Sequence, residues 1–249
     1  MNGIYVLWIR QLKRYGRSRA RIIGSLGQPL LFLVALGFGF GPIFQRAGQG
    51  SYMQFLAPGV IGMTILFSAV FSGIELIWDR QFGFLKETLV APVPRVAIMI
   101  GRTFGGATVS ILQGLIVVAI CYVLGFRARN LGSWLMAFVF MLLIAIMFTA
   151  FGTAVASIIQ DFQAFQLVMN FLVMPMFFLS GALFPLKNAP AALQVVGAID
   201  PFSYGVDGMR AALAGSGAQF GMAIDLAALC GLTALLVGLG AFFFSRIQL

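Results

Sequence analysis

The chain has 249 residues, 61% of them hydrophobic and only 9% charged, with a mean hydropathy of +1.00 and a net charge of +9. A soluble domain carries roughly 25% charged residues, so this composition excludes a water-facing surface all round and makes lipid the main solvent. Continuous apolar runs of more than about 18 residues, without period-two alternation, exclude a barrel and predict an all-α integral membrane protein. The absence of His excludes His metal sites, His general bases and Ser-His-Asp triads.

Residues 1–21 form the first element. Ile4, Trp8, Leu12 and Tyr15 recur at helical spacing, with Arg10, Lys13, Arg14, Arg17 and Arg21 opposite. This pattern predicts an amphipathic helix in the cytoplasmic interface, with Trp8 and Tyr15 at headgroup depth. A signal peptide is the rival reading. The apolar run that follows, Ile22 to Ile43, is far longer than an h-region of about 7–15 residues, and no A-x-A-like site comes after it. The six basic residues within Arg10–Arg21 read as a positive-inside signal, and no nucleic-acid partner is expected.

A bundle over residues 22–249 follows with six spans near 22–43, 56–77, 97–125, 132–158, 164–184 and 222–245. In the first, Gly37-Phe-Gly-Phe-Gly41 lies inside an apolar run with no strand before it. It reads as small-residue helix packing rather than a phosphate loop, as does Gly101-x-x-x-Gly105 in the third. Glu75, Asp79 and Arg80 close the second span, and Arg102 opens the third within snorkelling reach of the inner surface. They read either as interface anchors that pair with one another or as gating charges. Phe67 and Phe71 lie in the second span. Between spans two and three runs a polar island, Asp79 to Arg95. It predicts a helix over 82–91, with Phe82, Leu85 and Leu89 on one face and Phe84, Glu87 and Ala91 on another, stopped by Pro92 and Pro94. About ten residues are marginal as an isolated helix, so both faces need partners. One would sit on the membrane domain, and the other, with Lys86 and Glu87, would dock a soluble protein. The residues alone leave open an ordinary interfacial helix.

Asp161 falls in the inner turn before span five. That span is rich in Phe and Met, and Met169, Met174, Phe177 and Phe178 join Phe67 and Phe71 as candidates for a path for apolar cargo. For each residue separately, helix packing or lipid contact is the competing reading. The outer loop 185–221 is half apolar and predicts short re-entrant helices. Within it Asp200, Tyr204, Asp207 and Arg210 bring polar groups together, with Arg210 expected to pair with Asp207 or Asp200. Asp225 starts span six. Cys121 and Cys230 read as small core residues. Eleven basic residues fall on the side of the N-terminus and five on the other, which predicts cytoplasmic N- and C-termini, although Arg127 and Arg129 run against the rule locally. No carboxylate sits at the midplane, which argues against an ion-coupled carrier.

Three motifs are collinear with this layout. Gly83, Glu87, Leu89, Pro92 and Arg95 fit a G-x-x-x-E-x-L-x-x-x-P-like run after the second span. Tyr52-Met-Gln-Phe-Leu-Ala-Pro-Gly59 precedes that span's core, and Pro201-Phe-Ser-Tyr204 followed by Arg210 fits P-x-x-Y-x5-R. Together they make the chain resemble permease subunits of type-2 ABC transporters, with drug-resistance permeases of the daunorubicin-exporter kind most similar. The resemblance implies a non-enzymatic subunit in the cell (inner) membrane that binds no cofactor itself. No G-x-x-x-x-G-K-[ST] is present, so ATP and Mg would bind separate ATPase subunits, two copies of which would grip the island as a coupling helix. It further implies a second permease subunit, as a homodimer, with spans two and five lining the path between copies. The cargo implied is an amphipathic or apolar drug, polyketide or lipid-linked molecule. In the outer loop, Asp200, Pro201, Tyr204 and Arg210 read first as holding the short helices in place, with a substrate-exit role as the rival reading. A polysaccharide or lipo-oligosaccharide permease is the alternative, and an ion-coupled secondary transporter a further one.

Overall fold

The computed structural model describes residues 2–46, 50–215 and 219–247; for residues 2, 20, 21, 131 and 188 it describes the backbone alone. The described residues are helical and contain no strand. In order they form α1 (Asn2–Arg17), α2 (Arg19–Arg46), α3 (Tyr52–Phe71), α4 (Ile74–Gln81), α5 (Phe84–Val90), α6 (Arg95–Val123), α7 (Leu131–Ile158), α8 (Phe162–Leu179), a 3-10 turn (Leu186–Asn188), α9 (Ala191–Ile199), α10 (Pro201–Ala214) and α11 (Met222–Ser245). Six stretches among them are long and apolar enough to cross a membrane: Ile22–Arg46, Tyr52–Gln81, Arg95–Val123, Gly132–Ile158, Phe162–Leu179 and Met222–Ser245. The chain is an all-α, multi-pass membrane protein.

α7 is the hub, packed against α11, α3, α6 and α10. Phe140, Ile144 and Phe148 line its buried side. α10 is too short to span, about 21 Å at 1.5 Å per residue, yet it is buried along most of its length between α7, α11 and α3. Gly205 and Gly208 permit this, because a side chain at either would run into Ile144 or Phe140 of α7. Asp200 starts α10 by accepting the amide of Phe202, with Pro201 at the first helical position, and Gly215 ends it with φ of 68°. Residues 216–218, which complete the expected outer loop, lie outside the described residues, as does the side chain of Arg21.

The second apolar run departs from the sequence expectation, which draws it as one helix over 56–77. It breaks at Ser72–Gly73 into α3 and α4. The cause is a backbone crossing. The carbonyl of Gly152 on α7 occupies the space a Gly73 side chain would need, and Gly152 in turn lies against the carbonyl of Val70. Gly101 and Gly105 do mediate close packing, but against Ile4, Leu7 and Gln11 of α1 rather than another span. Of the Gly37–Gly41 pair, Gly37 meets Met53 while Gly41 faces open space within this chain. α2 and α8 flank the bundle and expose most of their surface.

Candidate functional site

The island between spans two and three folds as a short helix held away from the bundle. Phe82 leaves α4 outside helical geometry, and Gly83 adopts φ of 80°, a left-handed conformation that a side chain would strain. Ala91 is extended ahead of Pro92, and Pro94 caps α6. The helix therefore runs only from Phe84 to Val90, shorter than the expected 82–91. Leu85 is buried and Leu89 partly so, whereas Phe84 is 49%, Phe82 72% and Val90 82% exposed, beside exposed Lys86 and Glu87. Phe82 thus leaves the inner face that the sequence pattern gives it, because the turn at Gly83 interrupts the helical register. Arg95 has a different task nearby. Its Nη1 donates to the carbonyls of Ser245 and Ile247, at 2.8 and 2.9 Å, and ties the start of α6 to the end of α11.

Beneath this helix lies a buried charge cluster. Asp79 of α4 accepts from Arg102 of α6 and, at 3.0 Å, from Arg10 of α1. Arg14 of α1 stands 3.9 Å from both Glu75 and Asp79. Arg102 is buried and paired with Asp79. Arg80 donates instead to the carbonyl of Ser157 on α7. The four expected charges therefore do not form a closed set, since α1 supplies two of the cations. A charged pair excluded from water stands only when hydrogen-bonded and compensated, and α1 provides that compensation.

Aromatic contacts extend the cluster. The Arg10 guanidinium lies 5.9 Å over the Phe84 ring of α5. That of Arg14 lies 5.7 Å over Trp78, whose indole stacks on Phe162, the first residue of α8, with centroids 6.1 Å apart. A groove of about 620 Å³ between α1, α4 and α5 is lined by Arg10, Lys13, Arg14, Arg17, Trp78, Phe82 and Phe84. α1 is anchored on its other side by the Trp8 indole donating to Thr108 at 3.0 Å. Sequence reading missed Arg10 and Arg14 as partners. The usable signal was their i, i+4 spacing, matched by Glu75 and Asp79 at the same spacing.

On the flank between α2, α3 and α8, Phe67 stacks on Phe71 and meets Phe177 edge-on, and Phe177 also meets Phe32 and Phe178. Met169 and Phe177 are buried inside the fold, Phe67, Phe71 and Met174 are half-buried, and Phe178 is exposed. A cavity of about 220 Å³ between α2, α3 and α6 is lined by Ser25, Gln28, Thr64, Ser68 and Gln113 as well as Phe67 and Phe71. α8 exposes Gln163, Gln166 and Asn170, which at i, i+3 and i+7 share one face. This amide stripe was legible in the sequence as three polar residues at helical spacing in an apolar span.

At the end of the bundle opposite α5, Arg210 is buried and donates to the carbonyls of Gly181 (2.9 Å), Ala182 (3.4 Å) and Phe55 (3.4 Å), with its guanidinium 3.9 Å over the Phe55 ring. It does not pair with Asp207 or Asp200 as expected from sequence. The chain leaving α8 turns between α3 and α10 and strands carbonyls that a guanidinium fork can satisfy. Asp207 instead accepts the amides of Gln219 and Phe220, at 2.7–2.9 Å. Asp200 is consumed by its capping role, where burial raises its carboxyl to about 7. Tyr204 donates to the carbonyl of Ala198 at 2.6 Å and fastens α10 to α9. Asp225 is fully buried, and its carboxylate has no hydrogen-bond partner among the described residues. No group of His, Cys, Asp and Glu able to hold a metal occurs among the described residues.

Residues 2–214 match the pattern of the ABC-2 type transporter family. The transport permease ycf38 of Cyanophora paradoxa is 30% identical over 214 residues, covering 83% of this chain and 72% of that protein. The ycf38 of Pyropia yezoensis is 32% identical with the same coverage. Nodulation protein J of Rhizobium leguminosarum bv. viciae is 28% identical over 84% of this chain and 81% of its own.

Proposed function

The chain belongs to the ABC-2 type transporter family, and from that premise we propose that it is the permease subunit of an ATP-driven exporter for amphipathic cargo, worked through α5 by a separate ATPase. Membership in the family implies an ABC ATPase partner. The observation that carries the docking reading is the contact of Arg10 with both Phe84 and Asp79. It makes α5 one end of a continuous set of contacts into α1, α4, α6 and α8. The exposed Phe82, Phe84, Val90, Lys86 and Glu87 give α5 a mixed apolar and charged face suited to a soluble protein. Gly83, Leu89, Pro92 and Pro94 shape and seat that face, while Arg95 anchors the segment behind it.

ATP binding by two ATPase copies would draw together the α5 helices of two permease copies arranged as a homodimer. Motion of α5 would pull Arg10 against Asp79 and Arg14 against Trp78, and so tilt α8 through Phe162. Glu75, Asp79, Arg80 and Arg102 then act as the pivot. The cargo face is formed by Phe67, Phe71, Met174 and Phe178, with Met169 and Phe177 uncovered only as α8 moves away from α3. Asp200, Pro201, Tyr204 and Arg210 hold the exit end in shape. The membrane is the cell (inner) membrane, with both termini in the cytoplasm.

The amide stripe on α8 and the polar cavity between α2, α3 and α6 favour a cargo with a hydroxyl-rich head, such as a lipo-oligosaccharide, over a wholly apolar drug. In hydrocarbon, exposed carboxamides are costly, and a polar head would satisfy them. Export assays in proteoliposomes test the function. The chain with its ATPase should move a lipid-linked oligosaccharide only with ATP, and an ion gradient alone should move nothing. Transport under a gradient without ATPase would refute the assignment.

A further inference from the structure

Arg127 and Arg129 are the two cations that run against the positive-inside rule, and the coupling account gives them no task. The fold brings them into one cavity of about 660 Å³, at the end opposite α5, together with Lys187 and Arg210. Among the described residues the sole acidic one lining it is Asp207, whose oxygens are already engaged by two backbone amides. The cavity is therefore strongly electropositive. Its donors are partly unused. Arg129 and Lys187 are exposed, and their side chains have no hydrogen-bond or ion-pair partner among the described residues. Arg210 commits Nε and Nη2 to carbonyls. Arg127 is held in place, with its backbone facing the Gln54 carboxamide at 3.0 and 3.1 Å and its guanidinium 4.1 Å over Tyr122. Phe44, Phe55 and Phe220 supply apolar wall in the same cavity.

We propose that this cavity binds the phosphate group of an anionic amphiphile. Guanidinium forks match phosphate oxygens, and their charge persists at every relevant pH. A lysine adds a mobile point charge. The aromatic wall takes the first part of the apolar body, and the volume lies within the range of small-molecule sites. Packing alone would favour neutral side chains here, because cations gathered in one cavity repel one another unless an anion joins them. The phosphate arrives either on a lipid headgroup of the surrounding leaflet or on a phosphate-bearing solute.

The test uses the full chain in phosphatidylcholine nanodiscs without ATPase, so its outcome is separate from the export reading. Dodecyl phosphate is titrated in by calorimetry, with dodecyl glucoside as the uncharged control. Wild type is expected to bind dodecyl phosphate saturably and to ignore the glucoside. The double variant Arg129→Gln, Lys187→Gln should bind roughly tenfold more weakly or worse. Both residues are exposed, and an unchanged thermal midpoint certifies its fold. Equal binding by variant and wild type, or equal competition by the glucoside, overturns the proposal. Nanodiscs containing phosphatidylglycerol then identify the source. A headgroup occupant weakens dodecyl phosphate binding by wild type, whereas a solute occupant leaves it unchanged.

Discussion

Arg10 Nη2 donates to Asp79 Oδ1 across 3.0 Å, joining the N-terminal helix to the second membrane span. Asp79 is buried and shared with Arg102, whereas the Arg10 side chain is 39% exposed. The two cations are therefore unequal. Removing the carboxylate strands a buried guanidinium, while removing Arg10 leaves Asp79 with its other partner.

Asp79→Ala should accordingly destabilise the protein severely, by about 3–5 kcal/mol, the scale seen when one member of a buried pair is lost. Arg10→Ala should cost about 1 kcal/mol or less, because its exposure screens the pair. Denaturation in detergent measures both. The double variant Asp79→Ala, Arg102→Met should recover part of the loss, as expected for coupled neighbours.

Gly152→Ala should disrupt the bundle, because the new methyl would press on the Val70 carbonyl and no flexible side chain is there to yield. A loss beyond the usual 1–3 kcal/mol of overpacking is expected. Gly41→Ala is the control. Nothing lies near that position within the chain, and the helix should gain up to about 1 kcal/mol. Thermal midpoints of the two variants should move in opposite directions.

Asp200 predicts a pH dependence. Its folded carboxyl titrates at about 7, above the unfolded value of 3.8, because burial outweighs its hydrogen bonds. The folded state then binds the proton more tightly. The stabilisation is complete below about pH 4, is lost as pH rises toward about 7, and then levels off. Asp200→Asn keeps an N-cap without the charge and should flatten the profile between those limits, whereas Asp200→Ala should lower stability at acid pH too. Thermal midpoints across the range check the sign.

The amide stripe separates a cargo role from a folding role. Gln166→Leu with Asn170→Leu should leave stability unchanged or raised, since both side chains are exposed in this chain. Export of a cargo with a polar head should fall roughly tenfold, the scale of a lost polar contact. Unchanged export at full stability would remove α8 from the path.

The six spans were legible because length and hydropathy alone impose them. The break at Gly73 was not, since it depends on where Gly152 of α7 crosses, a tertiary fact with no local mark. The stop at Pro92 and Pro94 was legible from proline chemistry. The start was misplaced by two residues, because the left-handed turn at Gly83 displaces Phe82. Charge pairing failed for Arg210, where sequence offers carboxylates as partners but stranded carbonyls won; for Asp79 it held with Arg102 but missed Arg10, which comes from a helix 69 residues away.

In the proposed mechanism α5 receives the ATPase and passes its motion to the spans. Co-purification and ATP-driven export measured together on Phe84→Ala and Glu87→Ala test it most directly. Both side chains are exposed, so the variants should melt as wild type does. They should retain roughly tenfold less ATPase, the scale of losing an interface anchor, with export falling in step. Full ATP-driven export by both variants, with the ATPase still bound, would contradict the claim.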